Sequence, residues 1–137
     1  MDFSKLTKVF TASVVSIAVV QVLLGVPIFD LFLNSSCGNV SAPALNLPLY
    51  ILVLAIVFAI PFYLIVEEVK PTQTPTVGFK IGALYGIIAS VPTAALFYLF
   101  SRLSLAFIGG SILVAVVDFG VAGALAMFVL SRSRGIE

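Results

Sequence analysis

The chain has 137 residues, of which 61% are hydrophobic and 9% charged, with a mean hydropathy of +1.25 and a net charge of +1. Soluble domains carry about 25% charged residues, so these few charges cannot coat a soluble globule. A cytosolic enzyme, a nucleic-acid binder and a disordered tail are excluded, and an integral membrane protein remains.

Four apolar runs cover most of the chain, at 9–33, 45–66, 78–100 and 105–130. Each exceeds the roughly 20 residues that a helix needs to cross the hydrocarbon core. A β-barrel would show short alternating segments, and none occur. The expected fold is all-α and polytopic. A single domain over 1–137 places four transmembrane helices in an antiparallel bundle.

Lys5 and Lys8 precede the first run, as they would in a signal peptide. The run is too long for an h-region of about 7–15 residues, so a retained span is expected. Cys37 follows Asn34-Ser35-Ser36. A leucine three residues before the cysteine would mark a lipoprotein site, and Asn34 stands there instead. Cys37 reads as a free thiol, with a bridge to a partner chain as the alternative.

The connection at 34–44 carries no charge. It holds two glycosylation sequons, at Asn34 and Asn39, and Asn39 is the better acceptor because it lies farther from the membrane. The connection at 67–78 is polar and proline-marked, with Pro71 and Pro75. The third connection is very short and forces spans 3 and 4 into a hairpin. Lys5, Lys8, Lys70, Lys80, Arg132 and Arg134 lie on one side and only Arg102 on the other. Both termini are therefore expected to face the cytoplasm, in a plasma membrane.

Val26-Pro27 and Leu31-Phe32 in span 1 recur, at the same spacing, as Val91-Pro92 and Leu96-Phe97 in span 3. Duplicated hairpins of transporters show such echoes, and chance also produces them in apolar sequence. Pro27, Pro61 and Pro92 fall inside spans, where each frees a carbonyl and can kink its helix.

Span 3 places Gly78, Gly82, Gly86 and Ser90 at a strict four-residue interval, which lets another helix approach closely. Span 4 offers Ser111, Ala115, Asp118, Ala122 and Ala126 on one face. Packing within the hairpin is preferred over self-association.

Asp118 needs a reason. It lies near the middle of span 4, where a charge costs roughly 2.5–3.5 kcal/mol. With the hairpin turn centred at residue 103, position 118 falls level with position 88, between Gly86 and Ser90. Gln21 is the midpoint of span 1. A mid-membrane cluster of Asp118, Ser90 and Gln21 is expected. It would either carry a proton or cation or act as a hydrogen-bonded tie between helices. At the outer ends of spans 1 and 3, Asp30 and Arg102 would pair or be separately solvated.

The sequence lacks histidine and has one cysteine. That removes imidazole chemistry, histidine-ligated haem, most zinc and copper sites and any internal disulfide. No enzyme activity, cofactor, metal or nucleic-acid partner is expected. The expected partners are the lipid bilayer and either other membrane subunits or a second copy.

Gly82-Ala83-Leu84 with Gly86, and Val117-Asp118-Phe119-Gly120 with Gly123 or Ala124, give residues 78–130 a resemblance to uncharacterised four-span membrane proteins of bacteria and archaea. The resemblance implies a compact four-helix membrane fold and no known activity. A structural or accessory subunit of a larger membrane complex is the first functional expectation. An oligomeric solute or ion transporter using Asp118 is the second.

Overall fold

The computed structural model describes residues 2–28, 47–70, 72, 74–101 and 104–134. Helix α1 begins as an α-helix at Phe3–Val20, passes through a π-helical turn at Gln21–Gly25 and continues to Ile28. Helices α2 (Leu47–Val69), α3 (Pro75–Ser101) and α4 (Leu105–Arg134) are α-helical throughout. All four are long and apolar enough to cross a membrane.

Cap chemistry, not hydropathy, sets the helix ends. The apolar run opens at residue 9, yet α1 starts at Phe3 because Asp2 caps it. The Asp2 carboxylate accepts from the amides of Ser4 and Lys5, at 3.0 and 3.4 Å. Helix α3 opens with Thr74 accepting from the Val77 amide at 3.3 Å and Pro75 in the first helical position, where a missing N–H costs nothing. Ser104 caps α4 through the Phe107 amide at 3.2 Å. Helix α2 ends at Lys70, whose φ of 46° is left-handed.

Buried positions follow the helical period. On α1 they are Val9, Ala12, Ser13, Ser16, Ile17 and Val20, and on α2 Ala55, Phe58, Ala59, Phe62, Tyr63 and Val66. The opposite faces are equally apolar, with Val15, Val19 and Leu23 exposed on α1 and Leu52, Val53, Ile56 and Leu64 on α2. Such a surface suits lipid. In lipid, helices gain little from hiding apolar area, so close packing and hydrogen bonds must hold them together.

The closest packing lies between α3 and α4. A Cβ at Gly78 would overlap the Gly123 carbonyl, one at Gly82 the Phe119 carbonyl, and one at Gly86 the Ala115 carbonyl and Val116 Cα. These three seats make the two helices antiparallel and fix their register. They also correct two expectations. The α4 residues against the glycine row are Ala115, Val116, Phe119, Gly120, Gly123 and Met127, and only Ala115 belongs to the anticipated face. Ala122 and Ala126 are fully buried, but on the side of α4 shared with Asp118. Ser111 is exposed and donates to its own helix at Ile108 O, 2.8 Å. The register also places Asp118 level with Ala83, more than one turn from the expected position 88. Glycine seats permit backbone contact at only certain offsets, and that contact overrides the loop midpoint.

Phe58 is the centre of an aromatic group that joins α2 to the α3–α4 pair. It stacks on Phe119 with centroids 5.2 Å apart, meets Tyr85 edge-on at 5.7 Å and lies 4.9 Å from Phe62. Tyr85 and Phe119 close the group edge-on at 5.4 Å.

Candidate functional site

Asp118 is 1% exposed and belongs to the side of α4 that meets α1. The Gln21 side-chain amide donates from Nε2 to Asp118 Oδ2, joining residues 97 positions apart in the chain. Two of the three members of the expected cluster are thus together. The third is not. Ser90 Oγ is buried without a hydrogen-bond partner, as is Asp118 Oδ1. The two orphan oxygens therefore do not bond each other. The observed register explains why: carried one turn beyond Gly86, it sets Ser90 opposite Ser111. Ser111 is seven residues from Asp118, roughly 10 Å of helix rise.

Backbone geometry delivers Gln21 to Asp118. Gln21 opens the π-turn, where the Val26 amide reaches back five residues to the Gln21 carbonyl. Pro27 follows and has no amide to offer. A Cβ at Gly25 would collide with the Gln21 side-chain amide, so a glycine there leaves room for that amide to lie along its own helix. Sequence reasoning picked Gln21 as the midpoint of a span. It missed the π-turn, whose only written trace is a glycine two residues before a proline.

Two buried hydroxyls continue the polar line on α1. Ser13 donates to Val9 O at 2.7 Å and Ser16 to Ala12 O at 2.8 Å. Tyr50 of α2, half exposed, stands close enough to Asp118 for the two to interact electrostatically. Among the described residues, no group of three or more His, Cys, Asp or Glu side chains is placed to hold a metal.

A second polar tie was missed. Tyr85 of α3 donates to the Val57 carbonyl of α2 at 2.8 Å. Val57 lies four residues before Pro61, the position whose carbonyl a proline leaves without its helical donor. Near the N-terminus, the Asp2 amide donates to the Tyr63 hydroxyl at 3.0 Å, tying the start of α1 to the end of α2. Between these two helices lies a shallow apolar groove of about 240 Å³, lined by Leu6, Thr7, Phe10, Ile56, Ala59 and Ile60.

Asp30, Arg102, Asn34, Cys37 and Asn39 lie outside the described residues. Pro27 and Pro92 occupy unlike settings, one beside a π-turn and one inside regular α-helix. Comparison with protein-family models, curated proteins and solved structures finds no match.

Proposed function

We propose that this protein is a structural or accessory subunit of a larger membrane complex, a four-helix antiparallel bundle with both termini in the cytoplasm. One observation carries the reading. The glycine row, the Gln21–Asp118 bond, the Tyr85–Val57 bond and the aromatic group are all spent on joining helices of this one chain. The result is a self-held unit whose described spans turn large apolar side chains outward. The six-to-one bias of basic residues supports the orientation.

Helix α3 is the least covered span, with 17% of its apolar window buried against 44% for α1 and α4. Its outward residues Leu84, Ile87, Ile88 and Val91 are where another subunit would sit. A photo-crosslinking side chain at Leu84 or Ile88, activated in the native membrane, tests this. Capture of one defined membrane protein supports the reading, and capture of lipid alone opposes it.

A second reading, an oligomeric small-solute or ion transporter using Asp118, is favoured by one specific observation, the unpartnered Oδ1 of that carboxyl.

A further inference from the structure

Among the described residues, Ser13, Ser16, Gln21 and Asp118 are the buried polar residues, and the hydroxyl oxygen of the partly buried Ser90 is enclosed as well. Ser13 and Ser16 satisfy themselves on their own helix. Asp118 does not. Oδ2 has the Gln21 amide, and Oδ1 has nothing.

The surroundings of Asp118 narrow what can complete it. From α1 it meets the neutral Gln21. From α2 the titratable group in reach is Tyr50. From α3 the residues at its level are Gly82 and Ala83, which carry no charge. Its neighbours along α4, Val114, Ala115 and Ala122, are apolar. No cation among these answers the carboxylate, and a lone buried charge is costly. An alkali ion would need several further oxygens to replace its hydration shell. A proton needs one lone pair.

We propose that Asp118 is an exchangeable proton-binding site. A proton from water forms an O–H bond at Oδ1 and cancels the carboxylate charge. On release that O–H bond breaks, its electron pair stays on Oδ1, and the Gln21 N–H groups hold the anion. The π-turn and Pro27 beside Gln21 give α1 the local freedom to open this contact. The hydroxyls of Ser13 and Ser16 extend the polar line toward the N-terminal end of the helix. The site is built within one chain, so it stands apart from the question of which complex the chain joins.

Infrared difference spectroscopy on the protein in lipid vesicles tests the proposal, with aspartate carboxyl carbons isotope-labelled. The chain has three aspartates, Asp2, Asp30 and Asp118. An isotope-sensitive band of a protonated carboxyl is expected to fade as the bath pH rises. The band should survive in the Asp2→Asn/Asp30→Asn double variant and vanish in Asp118→Asn. Gln21→Leu, which removes a charge-assisted donor, should bind the proton about tenfold more tightly. A pH-independent carboxyl signal would overturn the proposal, as would loss of the band in the double variant that keeps Asp118. The double variant leaves the site intact, so the test does not depend on Asp118→Asn folding.

Discussion

The Tyr85 hydroxyl of α3 caps the Val57 carbonyl that Pro61 leaves free in α2, at 2.8 Å. A proline normally costs a helix one hydrogen bond. Here the neighbouring helix supplies the donor, and the defect becomes an interhelical tie. The Tyr85 ring also packs edge-on to Phe58 and Phe119, so one side chain joins three helices.

Tyr85→Phe should therefore destabilise the protein by about 1 kcal/mol, the usual scale of interhelical hydrogen bonds in membranes. Pro61→Ala restores an amide donor to Val57. In that background the same substitution should cost measurably less. Thermal unfolding of the four members of the cycle checks this, and equal costs in both backgrounds would contradict it.

Gly82 and Gly109 make a matched pair. A Cβ at Gly82 meets the Phe119 carbonyl, whereas one at Gly109 meets nothing within 4 Å. Gly82→Ala should cost about 1–3 kcal/mol, because backbone cannot yield as a side chain can. Gly109→Ala should be neutral or stabilising by up to about 1 kcal/mol through helix propensity. Unfolding in mild detergent separates the two, and similar losses at both positions would count against the glycine-seat account.

The Gln21–Asp118 bond predicts strong non-additivity. Gln21→Leu alone strands a buried carboxyl and should destabilise by about 1–3 kcal/mol. Gln21→Leu with Asp118→Leu removes both polar groups and should recover most of that loss. Simple addition of the two single effects would mean that the bond contributes little.

Asp2 gives a pH dependence outside the membrane. Desolvation alone would raise its carboxyl. The Lys5 and Ser4 amides and the Lys5 ammonium outweigh that and hold it below the ordinary value of 3.8. The ammonium itself lies 3.5 Å away. A group depressed on folding stabilises the folded state above its unfolded pKa, and the benefit is lost as pH falls through its folded pKa. Fraying of the first turn of α1 should therefore begin only at strongly acidic pH. Amide exchange at Ser4 and Lys5 reads it, with Asp2→Asn expected to show no such acid step.

The spans were legible because length and hydropathy alone define them, and all four helices lie where the apolar runs do. Asp118 and Gln21 were legible because a polar residue deep in an apolar run stands out against its neighbours. The start of α1 was not, because a capping carboxylate seven residues upstream of the hydropathy edge sets it. The α3–α4 register was not, because it depends on which backbone atoms the glycines admit, and a loop midpoint carries no information on that. Ser90 was misassigned for this reason alone. Pro61 was visible in the sequence, but the donor that answers its freed carbonyl comes from another helix, and spacing along the chain cannot reveal it.

The central claim is that the chain is a subunit of something larger, and the mass of its native assembly tests it most directly. The protein would be extracted gently from its own membrane, without overexpression, and weighed intact. The account predicts a particle well above 14.5 kDa that contains other membrane proteins in fixed stoichiometry. A particle made only of this chain, as monomer or homo-oligomer, would contradict it.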